Sequence, residues 1–261
     1  MKDAPPDTAS GTVTRVLQVL AYVAQSGGEF GIKDIAQGLS LAPSTAHRLL
    51  GILVDGGFVT RSELRRYRVG PQFLRIARRA LEGNDLEAAA LAPMQAVVEA
   101  CGETCLLAVY HRHSQAMSFV ARVDSVNALR YRIRMHGVET LAWGASGRSI
   151  FAFLPDAAIA QVLARNERSP ASGRRLVHSE VRAELAAIRE RGYALSRGQR
   201  IEGAVAISVP IFDSAREVIG SLSVTIPEQR FRAKDESRLP ALLVANSAAI
   251  SRALGGDGGG A

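Results

Sequence analysis

Residues 33–61, KDIAQGLSLAPSTAHRLLGILVDGGFVTR, and 66–74, RYRVGPQFL, decide the fold of the first part of the chain. Ile32, Ile35, Ala36 and Leu39 form the apolar set of a short helix over about 33–38. Pro43 suits the first turn of the next helix, where its missing N–H would be unpaired anyway. Leu49, Leu50, Ile52, Leu53 and Val54 supply that helix with an apolar side, and Gly56-Gly57 stop it after Asp55. Upstream, Val13, Val16, Leu17, Leu20 and Ala24 recur at spacings of three and four, which predicts an amphipathic helix from Thr12 to Gly27-Gly28. Downstream the period changes from helical to alternating. Residues 58–61 and 66–69 read as two short strands joined by 62–65. Helix, helix, turn, helix and hairpin is the order of a winged helix-turn-helix, in which the third helix enters the DNA major groove and the hairpin lies along the backbone.

Charge placement points the same way. The 261-residue chain carries a net charge of +7 and a pI near 10.0. Residues 1–81 hold eleven Lys/Arg against six Asp/Glu. Within 61–79 there are seven arginines and one acid, Glu63. A solvated helix mixes its signs more evenly, so a polyanionic partner, double-stranded DNA, is expected.

Composition excludes several classes. Hydrophobic residues at 47% and charged residues at 22% allow real cores. Cys101 and Cys105 are too few for a disulfide scaffold. No apolar run reaches the roughly 18 residues of a membrane helix, and the polar start MKDAPPDTASG lacks the apolar region of a secretion signal. A soluble, cytoplasmic protein with no membrane partner is expected.

Residues 1–10 and 255–261 read as flexible tails, 11–71 as the DNA-binding domain and 72–83 as a linker helix. Residues 84–254 alternate strands and helices. Thr104–Tyr110 and Ala116–Val123 read as a hairpin, Leu129–Arg134 as an alternating strand, and Val205–Ile211 and Val218–Ile226 as β-branched strands. Helices are expected at 147–154, 156–163, from an N-cap at Ser179 to Gly192, and at 235–254. The expected fold class is α+β, an antiparallel sheet covered by helices behind the winged head.

With these segments in order, the chain resembles the IclR family of bacterial transcriptional regulators. The N-terminal stretch quoted above resembles that family's DNA-binding domain. SFVARVDS (118–125), LRYRIRMHG (129–137), GASGRSIFAFLP (144–155), IRERGYAL (188–195), EGAVAISVPIFD (202–213) and VIGSLSVTIP (218–227) resemble its effector-binding domain. The resemblance covers about residues 12–254. It implies a homodimer or tetramer on an operator, with a GAF-like C-terminal domain that senses a small molecule. One departure lies at Ser40, where the family usually has a glycine suited to positive φ.

Ser44, Thr45, His47 and Arg48 stand near the start of the predicted recognition helix, and Arg61, Arg65, Arg66 and Arg68 on the wing. Arginine can bind guanine O6 and N7 bidentately, and hydroxyls hold phosphates. The alternative for Arg48 is an ion pair with Asp34 or Asp55; for His47, capping or packing; for the wing arginines, plain solvent exposure.

For the effector the resemblance implies Ala145 and Ser146 in GASGR, Ser196 in GYALS, Ala206 in AVAIS, and Ser223 and Thr225 in SLSVT. N–H groups at a helix start attract anions, and Ser223 and Thr225, two apart on a strand, face the same way. An organic-acid or aromatic ligand is expected, with Trp143 as a candidate wall and core packing as its alternative. Family members that sense glyoxylate-type ligands often carry an acid near the position of Ser196 and a cysteine at that of Ala206, which argues against copying that ligand. Arg130, Arg132 and Arg134 could draw an acidic effector or form a solvated sheet face or subunit contact.

Rival functions find less support. GASGR lacks the second glycine of a G-x-S-x-G nucleophile elbow, and no S-x-x-K, H-E-x-x-H or phosphate-loop motif occurs, so no enzyme and no cofactor are expected. Cys101-x-x-x-Cys105 with His111 and His113 is a poor zinc spacing, so no metal is expected. A winged module that binds protein instead of DNA, or a metal-binding sensor, remains the alternative.

Overall fold

The computed structural model describes residues 11–26, 28–62, 66–81 and 85–255. The tail at 1–10, Arg65, the end of the 72–83 helix and the tail from 256 on lie outside the described residues. The chain divides into two compact units, residues 1–84 and 85–261.

In the first unit α1 (Thr12–Gln25), α2 (Ile32–Gly38) and α3 (Pro43–Asp55) precede β1 (Val59–Arg61), β2 (Tyr67–Val69) and α4 (Pro71–Leu81). Val19 and Val23 of α1, Ile35 of α2 and Leu49, Leu50 and Leu53 of α3 meet in one buried cluster with Val59 and Tyr67. The Asp34 carboxylate accepts the Gly31 N–H at 2.7 Å and caps the start of α2. The end of α2 is shaped by Ser40, whose φ is +52°. Leu41 N–H donates to the Ala36 carbonyl at 2.8 Å and Ser40 N–H to the Gln37 carbonyl at 3.3 Å, the paired bonds of a left-handed helix stop. The turn therefore keeps the conformation that glycine favours, with a serine in it.

Phe30 bridges to Tyr67 by two backbone hydrogen bonds of 2.9 and 2.8 Å, and their rings stack at 6.2 Å. The hairpin is thus extended by one residue from the segment before α2. Helix α4 packs against β1, and Gln72 N–H donates to the Gly57 carbonyl at 3.1 Å. The start of the helix expected as a linker accordingly belongs to the first unit.

The second unit runs α5 (Asp85–Cys101), β3 (Thr104–His111), β4 (Ala116–Val123), α6 (Ala145–Phe151), α7 (Asp156–Ala164), α8 (His178–Arg191), β5 (Ala194–Arg197), β6 (Ala204–Phe212), β7 (Val218–Pro227) and α9 (Asp235–Ala253). The five strands form an antiparallel sheet in the order β4-β3-β7-β6-β5. Period-two alternation divides the sheet's side chains between two cores. Cys105 and Leu107 of β3, Ile207 and Val209 of β6 and Leu222 and Val224 of β7 pack with α5 and α9. Leu106 and Ala108, on the opposite face of β3, join Ile150, Phe151, Leu185 and Ile188 of α6 and α8.

Two sequence expectations fail locally. Leu129–Arg134 forms no strand; the segment is tied to the sheet further on, by His136 N–H to the Phe119 carbonyl at 2.8 Å and by the Met117–Glu139 bridge. Its alternation reflects a chain with one side over the domain, without a ladder partner. Helix α8 starts at His178 after Val177, so Ser179 is not its cap. Among the described residues no helix is long and apolar enough to cross a membrane.

Candidate functional site

Helix α3 turns Ala46, Leu49, Leu50 and Leu53 inward and leaves Ser44, His47 and Arg48 exposed, with Thr45 half-buried. This is the division that a 3.6-residue period imposes on a helix with one apolar stripe. Among the described residues Arg48 has no ion-pair partner. Arg68 is exposed on β2, and the Arg61 guanidinium lies 5.9 Å over the ring of its cross-strand partner Tyr67.

Arg66, expected as a wing contact, also has partners within the first unit. It donates to the Glu29 carbonyl at 2.8 Å and faces the Glu29 and Asp34 carboxylates at 3.9 Å each. The Phe30–Tyr67 pairing brings Glu29 to it, so Arg66 ties the hairpin to the start of α2.

In the second unit a cavity of about 210 Å³ lies between the sheet, the start of α6 and the 132–134 and 199–201 stretches. Its lining includes Ala145, Ser146, Ser196, Ala206 and Thr225, five positions singled out from the sequence. Alternation explains the set: Ala206 and Thr225 point away from the core that buries Ile207 and Val224. Gly144 enters α6 at φ +83°; its N–H donates to Gln199 Oε1 at 2.9 Å and that of Ala145 to Ser196 Oγ at 3.0 Å.

Ser223 and Trp143 are placed otherwise. Ser223 Oγ accepts from Ser146 Oγ at 3.0 Å, behind the lining, within a buried serine network that bonds α6 to the sheet. Ser149 reaches Ser208 at 2.9 Å, and Ser221 donates to the Ser146 carbonyl at 3.2 Å in the same layer. Trp143 packs in the core on the α6 side, and its Nε1–H donates to the Glu167 carbonyl at 3.0 Å, so it is no wall of the cavity. Arg148 of GASGR is structural as well. It bonds the Ala142 carbonyl at 2.6 Å and Glu184 at 2.9 Å; burial lowers its pKa and Glu184 partly restores it.

The sequence did not single out Phe119, Glu139, Gln199 or Arg200, which also line the cavity. The Arg200 guanidinium lies 5.8 Å over the Phe119 ring and bonds Glu139 through Nη2 at 2.5 Å. Its Nη1 is buried and, among the described residues, has no hydrogen-bond partner. A donor left so costs about 1–3 kcal/mol, and for a charged group more, which a bound acceptor would recover. The only local signal was GQRIEG (198–203), whose glycines both adopt positive φ.

Among the described residues no three His, Cys, Asp or Glu side chains are grouped to hold a metal ion. His111 Nε2 lies 2.7 Å from Ser118 Oγ, and Cys105 is fully buried in apolar surroundings.

Residues 12–63 match the IclR helix-turn-helix domain, and residues 78–252 match the family described as bacterial transcriptional regulator IclR C-terminal. The chain is 30% identical over 249 residues to the glycerol operon regulatory protein of Streptomyces griseus, covering 94% of this chain and 96% of that one. A putative IclR transcriptional regulator from Silicibacter sp. TM1040 has a similar structure, with TM-score 0.82, 28% identity and coverage of 94% and 97%. An IclR homologue from Microbacterium hydrocarbonoxydans, complexed with 4-hydroxybenzoate, has the same fold with TM-score 0.80 and 24% identity, covering 94% of this chain and 99% of that one.

Proposed function

The chain belongs to the IclR family of bacterial transcriptional regulators, and on that premise we propose that it binds a double-stranded operator through its first unit and a small organic acid through its second. The observation that carries the reading is the split of α3 into a buried apolar side and an exposed side bearing Ser44, His47 and Arg48. Such a helix, supported by α2 and followed by a hairpin, is suited to the major groove, with its exposed arginine free to meet a base edge. Thr45, Arg61 and Arg68 supply phosphate contacts, and Arg66 positions the hairpin.

The effector occupies the cavity beside α6. Phe119 and Arg200 favour a flat body with an acid group, the chemistry of the aromatic acid bound by the Microbacterium homologue. The protein works as a homodimer or tetramer, and the 72–83 segment links the two activities. The ligand alters operator affinity only insofar as it binds two arrangements of the assembly unequally.

The test is footprinting on the region upstream of the protein's own gene. A protected site with two related half-sites, lost on unrelated duplex, is expected. Protection no different from unrelated duplex would overturn the reading.

A further inference from the structure

We infer that the cavity takes a small dicarboxylate, with one acid group inside on Arg200 and the other at the rim on Arg132 and Arg134. This rests on the effector reading above and adds the charge of the ligand. The titratable lining consists of these three arginines and one carboxylate, Glu139, so it carries an excess of positive charge. Arg200 Nη2 is held by Glu139, and its buried Nη1 has no hydrogen-bond partner among the described residues. An ionised oxygen is the acceptor that a guanidinium N–H matches best.

A single carboxylate on Nη1 would lie close to Glu139, because both nitrogens belong to one planar fork, and like charges at short range repel. Further cations must offset that repulsion. Arg132 and Arg134 are placed to do so. They are exposed, line the same cavity, stand two apart with the half-buried Ile133 between them and, among the described residues, pair with no acid. By contrast Arg130 faces Asp124 at 3.7 Å and does not line the cavity. Leu106, Phe119 and Ile201 give the space an apolar wall for the ligand's body.

The experiment is calorimetric titration of the full chain with two matched pairs of acids, benzoate against terephthalate and butyrate against succinate, with operator affinity read in parallel. In at least one pair the diacid is expected to bind tenfold or more tightly than its monoacid. The double variant Arg132→Gln/Arg134→Gln removes that preference, weakening the diacid by a larger factor than its monoacid; Arg200→Gln weakens both acids. Both arginines at the rim are exposed, so the double variant should keep the parent melting temperature, which is measured alongside. Monoacids that bind as tightly as their diacids in both pairs and shift operator affinity overturn the dicarboxylate while the effector reading stands. A diacid preference that survives in the double variant overturns the rim assignment. If no member of either pair binds, the dicarboxylate and the organic-acid reading fall together.

Discussion

Arg200 and Glu139, 61 residues apart in the chain, meet at 2.5 Å on the wall of the cavity, and Gly144 makes the meeting possible. A Cβ on Gly144 would lie 2.3 Å from Arg200 Cδ and 2.7 Å from Cγ, at a backbone φ of +83°. Gly144→Ala must therefore move the arginine stem and strain the entry to α6. The expected result is a loss of about 1–3 kcal/mol in urea unfolding together with a weakened ligand-induced rise in melting temperature. An unchanged ligand response would separate Arg200 from binding.

Ser40 holds φ +52°, where a side chain costs about 1–2 kcal/mol relative to glycine. Glycine gives back roughly half of that by loosening the unfolded chain. Ser40→Gly should stabilise the first unit by about 0.5–1 kcal/mol, read as a higher urea midpoint without a change in slope. A lower midpoint would mean that the hydroxyl contributes more than the strain takes away.

Arg48 and Arg66 should part company on substitution. Arg48→Ala is expected to weaken operator binding by about 1–3 kcal/mol with no change in the unfolding midpoint, because its side chain is exposed and, among the described residues, has no ion-pair partner. Arg66→Ala should lower stability by up to about 1 kcal/mol, since the ties it loses at Glu29 and Asp34 are exposed. Gel-shift titration and urea unfolding on both variants check the pair; equal effects on DNA affinity would cancel the division of labour.

The two thiols set a pH dependence. Burial raises the pKa of Cys105 far above the usual thiol range and also raises that of Cys101, where the hydrogen bond to the Glu103 carbonyl opposes part of the rise. Cys105 stays protonated in the folded chain and Cys101 ionises later than it does unfolded, where thiols ionise above about pH 8.5. The unfolded state then binds fewer protons, so stability falls as pH rises above that value. Unfolding between pH 8 and 10 should show a downward slope approaching about 1.4 kcal/mol per pH unit for each fully protected thiol. Cys105→Ala should flatten it. An equal slope in the variant would place the titration elsewhere.

The winged head was legible because its signals are local. Pro43 and Gly56-Gly57 bound α3 within the sequence itself, and the apolar spacing of Leu49, Leu50 and Leu53 shows which side is buried. The serines of the cavity were legible only through resemblance, and the alternation that sorts Thr225 into the lining is visible in the strand. Arg200, Glu139 and Phe119 were not, since they come together from an irregular loop, a segment without a ladder and a β-strand distant in sequence. Trp143, a candidate wall with core packing as its alternative, packs in the core, and Arg66 has partners within the first unit. Residue type announces what a side chain can do, and only its neighbours, Glu167 for the one and Glu29 for the other, decide what it does.

The most direct test is the salt dependence of binding to the upstream duplex, measured by fluorescence anisotropy for the parent chain and for Arg68→Ala. If the first unit grips phosphates, log Kd rises linearly with log salt, and the variant's slope is shallower by about one. A flat salt dependence, or no binding even at low ionic strength, would contradict the account.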